Sequence, residues 1–139
     1  SVLKKARILE VHTLASGYLK NENNTCTFIP FKNELQVSPI SAFLEYDFNA
    51  DGDNEVLVAG NYFGVSPYQG RFDSFPGALI FNEDKVVLGN KIGLDFNQKA
   101  VKKLNIIKVQ NKSYVLATIN NDHAQVYELT YLKDDYKKL

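Results

Sequence analysis

The chain has 139 residues, room for one compact domain and too little for most multidomain arrangements. Its 45% hydrophobic and 23% charged content is that of a folded globular protein and excludes disorder over the whole length. Lys+Arg and Asp+Glu are balanced at 16 each, so the positive surplus that non-specific binding to nucleic acid or anionic membranes requires is missing.

Residues 2–20 are expected to form a leading helix. Leu3, Ile8, Val11, Leu14, Ala15 and Tyr18 fall roughly on one face, and Gly17 with Asn21-Glu22-Asn23-Asn24 would end it. A strand over Ala6–Thr13, where β-branched residues are frequent, is the alternative. From there the pattern turns to period two. Strands are expected over Thr25–Phe31, Ala42–Tyr46, Glu55–Gly60, Ala78–Phe81, Val86–Leu88, Leu104–Val109, Tyr114–Ile119 and Gln125–Leu132. Polar turns separate them: Lys32-Asn33-Glu34, Asn82-Glu83-Asp84-Lys85, Gln110-Asn111-Lys112 and Asn120-Asn121-Asp122-His123. The charged residues 133–139 are expected to fray. Leu44–Phe81 and Ile107–Leu129 share one order of strand, polar turn, strand, polar loop, strand, a faint internal repeat.

No apolar run approaches the roughly 20 residues needed to span a bilayer. Ser1-Val2-Leu3-Lys4-Lys5 does not lead into the apolar core of a signal peptide. The one cysteine, Cys26, has no intrachain disulfide partner and no zinc-ligand neighbours, and is expected as a small core residue on a strand.

The segment with chemistry is Asp47-x-Asn49-x-Asp51-Gly52-Asp53-x-Glu55. Side-chain oxygens at positions one, three and five of a tight loop can converge on a hard cation. Gly52 permits the sharp turn, Asp53 offers its backbone carbonyl, and Glu55 adds a carboxylate. Calcium, which takes six to eight oxygens, fits this donor set better than magnesium with its small octahedron. An EF-hand would need a bidentate glutamate at position twelve, which is Val58, and flanking helices, where strands are expected. The alternative is a solvated Asp/Asn/Gly hairpin turn that binds no metal.

Asp47-Phe48-Asn49-Ala50-Asp51-Gly52-Asp53-Asn54-Glu55-Val56-Leu57-Val58 resembles the FG-GAP/VCBS repeat, whose blades carry D-x-[DN]-x-D-G-x-x-D before an apolar strand. Glu55 departs from the usual aspartate at position nine. Leu14–Tyr18, Gln36–Ile40, Ala59–Gly64 and Gly70–Asp73 are similar to the C-terminal part of Bacteroidetes-type VCBS-repeat proteins, relatives of which sit beside ASPIC/UnbV domains. The similarity covers about residues 12–125. It implies a mainly all-β fold of antiparallel β-propeller-like blades, two to three units here, together with the expected N-terminal helix. It further implies a non-catalytic, calcium-stabilised module of a secreted or surface protein. Propellers of this kind usually have six or seven blades, so further blades or self-association are expected as partners.

The loop from Asn61 to Asp73 is the second candidate. Tyr62, Phe63, Tyr68 and Phe72 could stack on a sugar or a peptide, with Arg71 and Asp73 beside them. Alternatively the rings pack over the sheet end and Arg71 pairs with Asp73. His12 and His123 have no metal-ligand spacing, Ser38 and Cys26 have no evident base, and Glu45 with Asp47 is the only carboxylate pair that a glycosidase reading could claim. No catalytic residue is assigned. A carbohydrate-active domain and an oligomerisation domain stand as alternative functions.

Overall fold

A computed structural model describes residues 7, 9–82 and 85–130. It divides into two compact units, Ser1–Phe31 and Lys32–Leu139. The protein is mainly β, in three antiparallel sheets of which none closes on itself.

The first unit is a hairpin of β1 (Gly17–Glu22) and β2 (Thr25–Pro30). Asn23 and Asn24 both have positive φ, 50° and 62°. Two left-handed residues form the tight turn whose twist matches the strands, and asparagine tolerates that conformation. The hairpin is closed by the Phe31 N–H donating to the Ser16 carbonyl at 2.9 Å. Tyr18 and Phe31 stack with ring centroids 6.0 Å apart.

The expected helix is therefore corrected over the described residues: 17–20 belong to β1, and the stretch before it is irregular. The polar residues taken as a helix stop are a hairpin turn. Of the expected helical face, Val11 and Leu14 stay in solvent, 70% and 94% exposed, so their burial does not offset the weak helix preference of Val11, Thr13 and Gly17. Residues 1–6 and 8 lie outside the described residues, as do Glu83, Asp84 and the tail 131–139. Cys26 is on a strand as expected, but it is exposed. A two-stranded ribbon has no second layer to bury it.

The second unit begins with a 3-10 turn over Asn33–Leu35 and continues as a meander of four strands: β3 (Ile40–Tyr46), β4 (Glu55–Gly60), β5 (Ala78–Ile80) and β6 (Val86–Leu88). A 3-10 turn, Gly89–Lys91, leads to a sheet of three strands: β7 (Val101–Val109), β8 (Lys112–Ile119) and β9 (Gln125–Glu128). Both sheets contribute to one core that includes Leu57, Ala59 and Leu79 from the first and Val101, Val115 and Ala117 from the second. Phe96, fully buried, fills the space that the connection between them leaves. Ser41 of β3 donates its hydroxyl to the Val101 carbonyl at 2.6 Å, tying the start of one sheet to the start of the other.

Two hairpins, β3–β4 and β7–β8, share backbone features. β3 and β7 each carry a bulge one residue after the strand begins, between Ile40 and Ala42 and between Val101 and Lys103. Each hairpin is closed in the same way: Asn61 N–H donates to the Pro39 carbonyl at 3.0 Å, and Asn120 N–H to the Ala100 carbonyl at 2.9 Å. At the first of these points the chains approach so closely that a Cβ on Gly60 would overlap the Pro39 carbonyl. The two β-meanders, β3-β4-β5 and β7-β8-β9, are thus built on one plan.

Candidate functional site

The acidic segment is the connection between β3 and β4. Tyr46 pairs with Glu55 in the ladder, and residues 47–54 form the loop between them. Ala50 (φ 59°) and Gly52 (φ 97°) turn the chain back on itself. The polar side chains fold inward on the loop's own backbone. Asp47 accepts from the N–H groups of Asp51 and Gly52 at 3.2 and 3.1 Å. Asn49 Oδ1 also accepts from Asp51 N–H at 2.9 Å, and Asp51 Oδ1 accepts from Asp53 N–H at 2.9 Å.

Two residues root the loop in the core. Phe48, only 3% exposed, packs edge-on against Tyr46 with centroids 5.5 Å apart. Its N–H donates to Glu55 Oε2 at 2.8 Å. Glu55 is also 3% exposed, an unusual burial for a carboxylate. Burial pushes its carboxyl above the ordinary glutamate range; the Phe48 N–H acts in the opposite sense, and the neighbouring charges of Asp51 and Asp47 add to the rise. The Asn49 amide nitrogen donates to both Asp51 Oδ2 and Glu55 Oε1, at 2.8 Å each. A polarised N–H group thus lies between two carboxylates.

Among the described residues no three His, Cys, Asp or Glu side chains are gathered as a metal-binding group. The donor chemistry of the loop nevertheless fits a hard cation: carboxylates from Asp47, Asp51 and Glu55, an amide oxygen from Asn49, and the backbone carbonyl of Asp53, with no competing nitrogen or sulfur ligand. The exposed carboxylate of Glu45, which accepts from the Asn54 amide at 3.1 Å, lies outside this set.

The aromatic segment is a short ribbon rather than an open loop. Tyr62 and Phe72 pair across it, each N–H donating to the other's carbonyl at 2.8 and 3.1 Å. Its base is held by Asn61, 1% exposed and at φ 74°. The Asn61 amide donates to the carbonyls of Phe75, Phe96 and Lys99 at 2.9, 2.9 and 3.2 Å, and its oxygen accepts from Phe75 N–H at 3.1 Å. The buried Ser38 hydroxyl donates to the Phe72 carbonyl, which explains that serine without a catalytic role. Tyr62 and Phe72 are 43% and 41% exposed, and Tyr68 at the tip is wholly exposed.

The Arg71 guanidinium lies over the Phe63 ring, 5.0 Å from its centroid. Arg71 forms no ion pair with Asp73 among the described residues. Asp73 is partly buried, and its backbone carbonyl accepts from Gln98 N–H at 2.7 Å. Lys102 of β7 reaches the same region, with its ammonium 5.9 Å from the Tyr62 centroid.

The ribbon pairs Tyr62 with Phe72 and sets Arg71 over Phe63, while Tyr68 stands wholly in solvent. Sequence reasoning missed Asn61, Lys102 and the buried Phe48. Of these only Phe48 carried a signal, an apolar side chain inside an otherwise polar loop. The histidines stay without a site: both are exposed, and Asp122 accepts from the backbone N–H of His123 at 2.7 Å. Comparison with protein-family models, with curated proteins and with solved structures found no match. No helix among the described residues is long and apolar enough to cross a membrane.

Proposed function

We propose that this chain is a non-catalytic, calcium-stabilised binding or scaffold module built of propeller-type blades of the FG-GAP/VCBS kind, acting outside the cell or on its surface. One observation carries this. Two hairpins of the same plan are connected differently: β7–β8 by a two-residue turn, β3–β4 by an eight-residue loop rich in carboxylates with a buried glutamate at its root. The fold does not need the longer connection, and the repulsion within it calls for a cation.

Asp47, Asn49, Asp51, the Asp53 carbonyl and Glu55 would hold the ion. With an ion held there, the carboxylates of Asp47, Asp51 and Glu55 would be neutralised, the role that the Asn49 amide now plays between Asp51 and Glu55. Glu55, bonded to Phe48 N–H, links that event to the core and to β4, whose far end carries Asn61 and the aromatic ribbon. A loop of this kind suits the millimolar calcium found outside cells. The ribbon is the surface on which a protein or glycan ligand would dock.

The test is thermal unfolding of the full chain in calcium and in EDTA, with Asp51→Ala alongside. A calcium-dependent rise that vanishes in the variant supports the reading; equal melting in all four conditions refutes it.

Self-association is supported by a separate observation. The sheets have open edges, and Leu19 and Phe28 face each other on the exposed side of the β1–β2 hairpin. Light scattering of the full chain tests this: a discrete dimer supports it, and a monomer at all concentrations refutes it.

A further inference from the structure

We infer that the Tyr62–Phe72 ribbon, together with Lys102, is a binding surface for an acidic oligosaccharide, a chain of uronic acids. The inference rests on reading the chain as a binding module and names the ligand class. Tyr62 and Phe72 are directly paired, so their side chains rise from the same side of the ribbon. Both residues are about two-fifths exposed. A Cβ on Gly64 would come within 2.6 Å of Tyr62 Cζ, so the Tyr62 ring lies against the bare Gly64 backbone. The Lys102 ammonium stands over that ring, 5.9 Å from its centroid, and, among the described residues, forms no ion pair.

The surface is set before any ligand arrives. The paired backbone, the four hydrogen bonds of Asn61 and the Ser38 hydroxyl fix the ribbon at its base, which lowers the ordering cost of binding. The surface offers a ligand aromatic rings and a cation. A pyranose offers its C–H face to the first and its carboxylate to the second, where a charge-assisted hydrogen bond forms. Arg71, which by strand alternation lies on the other side of the ribbon with Phe63, is outside this surface.

The experiment is calorimetric titration of the full chain, in calcium, with tetramers of galacturonic acid and of mannuronic acid. The uncharged glucose tetramer and tetraglutamate serve as comparisons. Binding of a uronate tetramer, with the glucose tetramer and tetraglutamate each weaker by about tenfold or more, is the expected result. Lys102→Gln weakens uronate binding by about tenfold while leaving the melting temperature unchanged. Tyr62→Leu, which keeps the backbone pair, weakens it as well, and Arg71→Gln does not. No uronate binding overturns the proposal. So does equal binding of tetraglutamate, which would mean charge alone, or an Arg71→Gln loss equal to that of Lys102→Gln. A calcium-dependent melt without uronate binding would leave the module reading intact and remove only this inference.

Discussion

The hairpins β3–β4 and β7–β8 start with the same bulge and close with the same backbone bond, yet they turn by different means. β7–β8 uses Gln110 and Asn111, both left-handed at φ 47° and 64°. β3–β4 uses eight residues, three of them, Asp47, Asn49 and Asp51, with side-chain oxygens folded onto the loop's own N–H groups. A tight turn is sufficient for this plan, so the acidic loop is longer than chain reversal requires. The asparagines that follow the hairpins differ in the same way. Asn61 is buried and fully bonded, whereas Asn120 sits at the same point of the plan and is exposed. One hairpin carries the devices; the other is plain scaffold.

The sharpest way to break the comparison is at the root of the acidic loop. Phe48→Ala removes a buried ring from the shared core and is expected to cost about 3–5 kcal/mol, read from denaturant unfolding. An effect within the noise would mean that the loop is not seated in the core. Next is the asparagine pair. Asn61→Ala leaves the Phe75 and Lys99 carbonyls and the Phe75 N–H to find new partners, while the Phe96 carbonyl keeps the Lys99 N–H, and should cost about 3 kcal/mol, against about 0.5 kcal/mol or less for Asn120→Ala. Equal losses would erase the distinction between the hairpins.

The calcium response follows in size. At a calcium concentration about 100 times the dissociation constant, the ion should add about 2.7 kcal/mol, and Asp51→Ala should abolish that gain. An equal gain in the variant would move the ion elsewhere.

The smallest effect is a pH dependence. Burial holds the Glu55 carboxyl above its ordinary 4.5. The native state therefore keeps its proton longer than the unfolded chain does, and stability in EDTA declines as pH rises from 4.5 through the raised value. Glu55→Gln removes that decline. Calcium opposes it, because the ion pairs with the ionised form. An unchanged pH profile in the variant would contradict the assignment.

Much of this architecture was legible. Glu55–Gly60 and Val86–Leu88 are strands over the expected residues, because β-branched runs bounded by polar turns have few alternatives. The N-terminal segment was misread because Asn23-Asn24 serves equally as a helix stop and as a left-handed hairpin turn. Periodicity over 2–20 could not show that Val11 and Leu14 would stay in solvent. The acidic loop was visible through its spacing, but the burial of Glu55 depends on Phe48 and on the neighbouring sheet. Asn61 left no mark, since its partners come from residues 75, 96 and 99. Lys102 joined the aromatic ribbon only through the packing of β7 beside β3.

The central claim is that residues 47–55 bind calcium, and calorimetric titration of calcium into the full chain tests it most directly, with Asp51→Ala as the control. Saturable binding of one ion in the parent chain and none in the variant is the predicted result. No binding in either would reduce the loop to a polar turn and contradict the account.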